Sequence, residues 1–560
     1  MTVVDHPWLA DYPPGVDWRE PLPSVPLFAL FDKSLSRFPD NPCIDFLGRV
    51  WSYRQIGDLI DRAAAGFRRL GVARGVRVGL CLPNTPYYVI CYFAVLKAGG
   101  TVVNYNPLYA KRELAHQIAD SATSIMVTLD LKQIYGKVAA MTAETSLEKI
   151  VVCPMSDILP MAKSIMFSIF RRSEVIGLRD DAAHFTFNEL TMGDGRIKTA
   201  DIDPETDIAV LQYTGGTTGS PKGAMLTHAN LVANACQVRR WLHGMEDGAE
   251  RFLGALPLFH VFAMTVVMNT GIAAGAELIL LPRFELKQVL KTINEKRPTM
   301  FPGVPTMYTA INAAPDIGGF DLSSIKYCVS GGAPLPAEVK RTFEALTGCK
   351  LVEGYGLSEA SPVVACNPLG SVKEGSIGLP LPGTIIEIHD MDDRDKALGA
   401  GEKGEVCVIG PQVMAGYLNQ PEATAHDIVN GRLHTGDVGY MDEQGYTFLI
   451  DRIKDLILCG GYNVYPRVIE DAVYLHPAVE EVTVIGVPDT YRGQAPKAFV
   501  KLRDGQSLTA EELLAFLKDK LSPIEMPDHL EFRSQLPKTM IGKLSKKELV
   551  KEGRGYAKGH

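Results

Sequence analysis

The 560-residue sequence has no long apolar run and no paired cysteines, and each absence excludes a class of protein. Without a run of about 18 apolar residues, the sequence predicts no membrane-spanning helix. The N-terminal segment MTVVDHPWLADYPPG carries acids and prolines where a signal peptide would have an apolar core. The ten cysteines include no C-x-x-C pair, which argues against a zinc ribbon or disulfide framework. We therefore expect a cytoplasmic protein with reduced thiols.

The chain also lacks an excess of basic residues. Its 57 Lys and Arg face 65 Asp and Glu, for a net charge of −8. No basic surface is predicted, so a nucleic-acid partner is not expected. The length exceeds that of a typical domain several times, which predicts two or more cores and favours an enzyme over a DNA-binding module.

One segment departs from this pattern. Residues 158–173, ILPMAKSIMFSIFRRS, combine apolar side chains with three cations. An apolar helix with flanking cations can lie in a membrane interface, which would make the protein membrane-peripheral. A helix packed on its own domain is the alternative, and the sequence leaves both interpretations open.

Strands alternate with helices over the first 350 residues. In the segment 51–105, helical apolar spacing in SYRQIGDLIDRAAAGFRRLGV is followed by the short strand RVGLCL and a helix that ends on glycine. Similar strands recur at SIMVTLD, KIVVC, AELILL and IKYCVSGG. This alternation predicts a large α/β domain built of stacked, mostly parallel sheets.

The pattern changes twice in the last third of the chain. After about residue 375, short strands with turns predict a small β-rich, barrel-like subdomain. Beyond Asp451-Arg452-Ile453-Lys454-Asp455 the sequence predicts a smaller α+β module. We expect an N-terminal domain over residues 1–451 and a mobile C-terminal domain over residues 452–560.

The segment LQYTGGTTGSPKGAM, residues 211–225, is rich in glycine and hydroxyl side chains and has one lysine, Lys222. Many backbone N–H groups, several hydroxyls and little steric bulk suit a polyphosphate. The spacing is not that of G-x-x-x-x-G-K-[ST], so the usual P-loop fold is not indicated. A surface turn is the alternative interpretation.

Four further motifs carry groups suited to a nucleotide. SGGAPLP (330–336) and EGYGLSEASP (353–362) offer close backbone approach, an aromatic face and the Glu359 carboxylate, which can hold Mg²⁺. LHTGDVG (433–439) offers Asp437 for a ribose diol, and LPKTMIGKLSKKEL (536–549) offers Lys543. Taken singly, Glu359 could be a neighbour of a helix N-cap, Asp437 a turn former and Lys543 one lysine of a basic tail. Together they favour an ATP site.

In these motifs and their order, from about residue 50 to 549, the chain resembles the AMP-forming adenylate superfamily of acyl-CoA synthetases, coumarate ligases, luciferases and peptide-synthetase adenylation domains. ALPLFHVFAMT, GPQVMAGYLNQPEAT, GYNVYPRVIED and GVPDTYRGQAPKAFV are most similar to bacterial long-chain fatty-acyl-CoA ligases. The resemblance implies a fatty-acid–CoA ligase that uses ATP, Mg²⁺ and coenzyme A on a small-molecule carboxylic acid.

The resemblance also implies roles for individual residues. It assigns ATP phosphates to Thr214, Gly215, Gly216, Thr217, Thr218, Gly219, Lys222 and Ser358, and the metal to Glu359 and Thr217. It assigns adenine to Gly331, Gly332, Ala333, Glu353, Gly354 and Tyr355, and ribose to Asp437 and Arg452. The implied catalytic residues are Lys543, Lys222, Glu359 and His260.

A two-step reaction with domain rotation is part of the same resemblance. The acid would attack the α-phosphorus of ATP, and the coenzyme A thiol would then attack the acyl-adenylate. Lys454 would be the hinge, and Lys543 would be replaced near the site by the loop with Gly460 and Gly461, which would line the coenzyme A channel. Glu525 and Ser545 stand where the family usually has cations, which puts coenzyme A contacts there in doubt.

Substrate choice is only partly indicated by the sequence. Phe262, Met264 and Val304 are predicted to line the acyl pocket, and none is a cation that would select a second carboxylate. Linear medium- to long-chain acids are therefore expected. A dicarboxylic or aryl acid, transfer to a carrier protein, or a catalytically inactive binding protein are the alternatives, and a homodimer stays open.

Overall fold

The computed structural model describes residues 6–177, 181–214, 221–459, 462–489, 491–538 and 544–556. The strands in these ranges are β1 (Pro42–Phe46), β2 (Arg49–Ser52), β3 (Arg77–Cys81), β4 (Thr101–Asn104), β5 (Ile125–Leu129), β6 (Lys149–Cys153), β7 (His184–Thr186), β8 (Ile208–Thr214), β9 (Lys222–Thr227), β10 (Arg251–Gly254), β11 (Glu277–Leu280), β12 (Tyr327–Ser330), β13 (Lys350–Gly356), β14 (Val363–Cys366), β15 (Leu379–Pro380), β16 (Ile385–His389), β17 (Gly404–Ile409), β18 (Gly416–Tyr417), β19 (Ile428–Val429), β20 (Arg432–Met441), β21 (Thr447–Arg452), β22 (Ile457–Cys459), β23 (Tyr462–Val464), β24 (Val479–Asp489), β25 (Gly493–Leu502) and β26 (His529–Phe532).

The α-helices in the same ranges are α1 (Ala29–Arg37), α2 (Tyr53–Arg69), α3 (Pro86–Ala98), α4 (Lys111–Ser121), α5 (Lys132–Ala140), α6 (Met161–Phe170), α7 (Phe187–Leu190), α8 (His228–Trp241), α9 (Thr270–Ala273), α10 (Leu286–Lys296), α11 (Pro305–Asn312), α12 (Ala337–Thr347), α13 (Pro421–Asp427), α14 (Pro466–Tyr474), α15 (Ala510–Leu517) and α16 (Lys546–Tyr556).

An eight-stranded sheet organises the first part of the chain, in the order β18-β9-β8-β4-β3-β5-β6-β7. Its strands β8, β4, β3, β5, β6 and β7 run parallel, while β9 turns back antiparallel to β8. A four-stranded sheet, β10-β11-β1-β2, lies beside it, and a second one, β12-β13-β14-β15, holds the glycine-rich motifs. The predicted α/β domain of stacked sheets is confirmed.

Helices α2 and α3 show how local sequence produces this domain. Helix α2 begins at a capping box in which Ser52 and Gln55 bond each other's backbone N–H groups. Helix α3 is apolar on all sides and almost all its residues are buried, as expected for a helix enclosed by protein. It ends on Gly99, whose positive φ of 95° suits glycine.

Two smaller sheets follow, as the sequence predicts. Strands β16-β17-β20-β19 form an antiparallel sheet with β21 added on β20, and β23-β22-β25-β24 form another with β26 added on β25. Helices α14 and α15 cover the last sheet, whose core has its own buried cluster around Val484 and Leu513. The smaller α+β C-terminal part of the fold class is confirmed, and the boundary at 451/452 stays a prediction.

Helix α6 is the element that the 158–173 segment forms. None of its side chains is fully buried. Within the described ranges no helix is both long and apolar enough to cross a bilayer.

Candidate active site

Part of the predicted site falls outside the described residues. Of the residues named from the sequence, those outside are Gly215, Gly216, Thr217, Thr218, Gly219, Gly460, Gly461 and Lys543. The structure does describe both ends of the glycine-rich loop, because Thr214 ends β8 and Lys222 begins β9. These two residues are cross-strand partners in the antiparallel pair.

Tyr417 joins the lysine of the loop to the carboxylate of the second glycine motif. Its hydroxyl donates a hydrogen bond of 2.8 Å to Glu359 Oε1, and its ring lies 4.3 Å beneath Lys222 Nζ. Strand β18 places Tyr417 there because it pairs with β9, with Tyr417 opposite Ala224. Lys222 and Glu359, which are distant in sequence, therefore both contact one aromatic side chain.

The charges around Tyr417 fix which group is the donor. Burial and the neighbouring Glu359 raise the pKa of Tyr417, so the phenol keeps its proton and donates the hydrogen bond that Glu359 accepts. Lys222 Nζ also lies 3.3 Å from Asp427 Oδ2. Burial alone would raise the pKa of Asp427, but the neighbouring His426 and Lys222 bring it below its usual value. The cation of the loop is thus held by a carboxylate and an aromatic face.

A second cluster forms around Asp437. Arg452 Nε lies 3.0 Å from Asp437 Oδ1, and the Tyr355 hydroxyl donates a hydrogen bond to Asp437 Oδ2. Strands β20 and β21 bring the first two together, because Asp437 and Arg452 are cross-strand partners. Asp437 raises the pKa of Arg452, and burial together with Asp437 raises the pKa of Tyr355. Asp437 is therefore a buried anion with two donors on it.

Glu353 lies one residue before Gly354 on β13 and faces the C-terminal part of the chain. Burial raises the pKa of Glu353 to about 7, and Arg467 of helix α14 offsets part of this effect. The backbone N–H of Arg467 donates a 2.7 Å hydrogen bond to Asp451 Oδ2 on β21. Helix α14 is therefore anchored beside the two clusters.

A narrow crevice lies next to the glycine turn after β12. Its lining includes His260, Phe262, Val304 and Gly332, which the sequence analysis assigned to catalysis, the acyl pocket and adenine. His260 Nδ1 accepts a 3.3 Å hydrogen bond from the backbone N–H of Phe262. Gly331 allows this close packing, because a Cβ there would lie 3.1 Å from the Phe262 ring.

The remaining predicted residues take different positions. Met264 is fully buried, outside the lining of this crevice, and its Sδ accepts a hydrogen bond from Asn104. Ala333 is half-buried beside Gly332, and Ser358 begins the short 3₁₀ turn that carries Glu359. Lys454 is exposed in the 3₁₀ turn Ile453–Asp455, between β21 and β22.

Three residues of the site were not predicted from the sequence. Tyr417 and Arg467 lie in GPQVMAGYLNQPEAT and GYNVYPRVIED, which the sequence supplied only as family motifs, and Asp427 lies three residues beyond the first of these. The signal for Tyr417 and Arg467 was their place in these motifs. Asp427 gave none, because its partner Lys222 is distant in sequence.

Glu353 gives a test of this electrostatic picture. The pKa of about 7 in the folded protein is above the ordinary value of about 4.3, so the native state binds more protons than the unfolded state between these pH values. Stability from this group therefore falls as pH rises through that window. We expect Glu353→Gln to raise Tm by roughly 1–4 °C above pH 7 and to have little effect at pH 4. A Tm difference that does not change with pH would contradict the raised pKa.

The fold and the two clusters define a class, that of multidomain α/β enzymes that bind a nucleotide at glycine-rich strand ends. Family models match in the same order, the AMP-binding enzyme model over residues 31–418 and the AMP-binding enzyme C-terminal domain model over residues 468–543. The chain therefore belongs to the AMP-binding enzyme family, which confirms the resemblance stated above.

Similar proteins cover nearly the whole chain. The long-chain-fatty-acid–CoA ligase of Bacillus subtilis (strain 168) is 45% identical over 550 residues, 98% of each chain. The crystal structure of ATP-bound MatB from Rhodopseudomonas palustris has a TM-score of 0.81 and 28% identity, covering 94% of this chain and 98% of that one. The anthranilate CoA ligase AuaEII in complex with anthranoyl-AMP has a TM-score of 0.83 and 25% identity, covering 96% and 99%.

Proposed function

We propose that the protein is an ATP-dependent, AMP-forming acyl-CoA ligase for medium- to long-chain fatty acids. The observation that carries the proposal is the convergence of Lys222 and Glu359 on Tyr417, beside the Asp437 and Arg452 pair. A cation suits the phosphates of ATP, a carboxylate suits the Mg²⁺ that accompanies them, and a buried anion with a neighbouring arginine suits the ribose diol. The relatives named as CoA ligases support the same reaction.

The crevice beside His260 supports an aliphatic substrate. Its lining residues are Leu256, Pro257, His260, Phe262, Ala263, Val304 and Gly332, none of which is a lysine or an arginine. A second carboxylate would therefore meet no cation there, which favours a monocarboxylic acid. An aryl acid is the second candidate, because the anthranilate CoA ligase has nearly the same fold. We assign Met264 to the wall behind this crevice.

The reaction needs no covalent enzyme intermediate. A carboxylate oxygen of the acid attacks the α-phosphorus of ATP, the bond between the α-phosphorus and its bridging oxygen breaks, and pyrophosphate leaves. The sulfur of coenzyme A then attacks the acyl carbonyl, the bond to AMP breaks, and the thiol proton passes to solvent. Lys222 and Lys543 stabilise the charge that develops on the phosphoryl oxygens. The rest of the rate comes from orientation of the two substrates.

We assign Mg²⁺ to Glu359, together with Thr217 of the loop. The residues around Glu359 fit this ion, because Tyr417 occupies only one carboxylate oxygen and oxygen donors are those that Mg²⁺ prefers. When bound, the ion neutralises the negative charge of the phosphates. Tyr417 would position Glu359 for the ion, and Lys222 would bind the phosphates.

We propose that rotation of the C-terminal part about Lys454 switches the site from the first half-reaction to the second. This residue lies in the short turn between β21 and β22, the only chain connection from the β20–β21 hairpin to the last sheet in the described part of the chain. We propose that rotation there removes Lys543 from the site and brings Gly460 and Gly461 to the coenzyme A channel.

Isotope exchange between pyrophosphate and ATP tests the first half-reaction without coenzyme A. We expect exchange that depends on Mg²⁺ and on a linear acid such as dodecanoate. If exchange required coenzyme A, the result would contradict a separate adenylate step. No exchange with any acid would support an inactive nucleotide-binding protein.

Tyr417 provides a test of the geometry. Tyr417→Phe keeps the ring beneath Lys222 but removes the hydrogen bond to Glu359, so we expect the Mg²⁺ concentration for half-maximal exchange to rise roughly three- to tenfold. The maximal rate should change less, because the substitution disturbs the position of Glu359 and not the reacting groups. Tyr440→Phe, which keeps its ring stack on Phe448, is the matched control. An unchanged Mg²⁺ dependence in Tyr417→Phe would show that the hydroxyl does not position Glu359.

A further inference from the structure

Helix α6 turns its apolar face away from the protein. At about 100° per residue, six apolar side chains form one continuous arc of about 180° on the helix. Those six are Met161, Ala162, Ile165, Met166, Ile169 and Phe170, and all are exposed. Met161 is 82% exposed and Phe170 76%. A surface helix normally buries such an arc, so the orientation of α6 is reversed.

The opposite side of α6 attaches it to the domain. Ser164 and Phe167 are half-buried, and Phe167 packs against the main core. Lys163, which lies between the two sides, donates a 2.7 Å hydrogen bond to the backbone oxygen of Leu47. The helix is therefore attached to the domain through its smaller, half-buried side. Its apolar arc is exposed although the helix packs on the protein.

This concentration of exposed apolar surface is specific to α6. Of the sixteen large apolar side chains that are exposed in the described part of the chain, five belong to this ten-residue helix. The other eleven are scattered along the chain from Val50 to Phe532. Scattered exposed apolar residues are ordinary, whereas a contiguous patch marks a contact surface.

The charge of the segment that carries the patch is opposite in sign to that of the whole chain. Residues 158–173 carry Lys163, Arg171 and Arg172 and no acid, while the chain has a net charge of −8. Arg171 is paired with Glu174, just beyond the helix. Lys163 at the edge of the arc and Arg172, two residues beyond the end of α6, therefore place positive charge next to the apolar side chains. This arrangement suits a surface with anionic headgroups over an apolar interior.

We propose that the outward arc of α6 docks the protein on the surface of an anionic lipid bilayer. The apolar side chains enter the boundary between headgroups and acyl chains, and Lys163 and Arg172 contact the lipid phosphates. The choice of a lipid bilayer as the partner rests on the proposed function. Medium- to long-chain acids partition into bilayers, so docking places the enzyme where its substrate is concentrated. The first of the two interpretations of segment 158–173 is thereby preferred.

Vesicle flotation tests this proposal in the absence of ATP, acid and coenzyme A. We expect the full-length protein to float with vesicles of phosphatidylcholine and about 30 mol% phosphatidylglycerol, and less with phosphatidylcholine alone. Ile165→Glu/Ile169→Glu should lower the partition coefficient about tenfold or more. Lys163→Gln/Arg172→Gln should lower it several-fold and weaken its dependence on salt. Equal flotation of the wild-type protein and Ile165→Glu/Ile169→Glu, or no flotation of the wild-type protein, would overturn the proposal.

Matched variants separate docking from folding, self-association and catalysis. Met192→Glu/Leu475→Glu makes the same change at two exposed apolar positions outside α6 and should float like the wild-type protein. Sedimentation without vesicles should give the same mass for all variants; loss of a homodimer in Ile165→Glu/Ile169→Glu alone would assign the arc to a second copy instead. Unchanged turnover of octanoate by Ile165→Glu/Ile169→Glu would show that the ligase is intact, so failure of docking and failure of the proposed reaction are distinguishable.

Discussion

Lys543→Ala is expected to lower acyl-adenylate formation by about 10²–10³-fold and to leave thioester formation from supplied acyl-adenylate within a fewfold of the wild-type rate. The reason is that a cation at the α-phosphate stabilises charge which develops only in the first half-reaction. Pyrophosphate exchange measures the first step, and acyl-CoA formation from synthetic dodecanoyl-adenylate measures the second.

A nearby lysine supplies the control for this prediction. Lys547 is exposed on α16, four residues further along the chain, and Lys547→Ala should leave both half-reactions unchanged. Lys546 is unsuitable because it pairs with Glu470 at 3.1 Å. If Lys543→Ala reduced both half-reactions equally, the lysine would not act in the adenylation step alone.

Asp437→Ala is expected to raise the KM for ATP by about 10²-fold, with a smaller effect on the KM for the acid. The substitution removes the acceptor for a ribose diol, and it leaves Arg452 and the Tyr355 hydroxyl without their shared anion. Hydrogen bonds to a charged group are worth about 1.5–3 kcal/mol each, so losing them accounts for an effect of this size. Initial rates over a range of ATP concentrations give the value.

The control for Asp437 lies on the same hairpin. Glu443 is exposed in the turn between β20 and β21, and Glu443→Ala should leave the KM for ATP unchanged. An unchanged KM in Asp437→Ala would contradict a ribose contact. A fall in Tm with no change in KM would show that the Asp437 cluster serves the fold rather than the nucleotide.

The fold was largely predictable because its signals are local. Alternating strands and amphipathic helices gave the α/β domain, and the N-cap serine of α2 and the final glycine of α3 lie where helix-capping chemistry places them. The pairing of Asp437 with Arg452 was also accessible, because the two residues lie on consecutive strands of one hairpin.

The contacts that complete the site were not predictable in the same way. Tyr417 and Glu359 are separated by 58 residues, and Lys222 and Asp427 by 205, so no local pattern connects them. Met264 shows the same limit for apolar residues, since its sequence neighbourhood does not tell a pocket wall from the core behind it. For α6, the spacing of apolar residues predicts a helix but not which side meets the protein, because that depends on Phe167 finding a place in the core.

The most direct test of the whole account is AMP release measured over a panel of acids, with and without coenzyme A. The panel runs through straight-chain acids from butanoate to octadecanoate and includes phenylpropenoic acids and heptanedioate. The account predicts release that depends on coenzyme A and is greatest for a medium- to long-chain linear acid. Release only with an aryl or dicarboxylic acid would contradict the proposed substrate, and no AMP with any acid would contradict the proposed reaction.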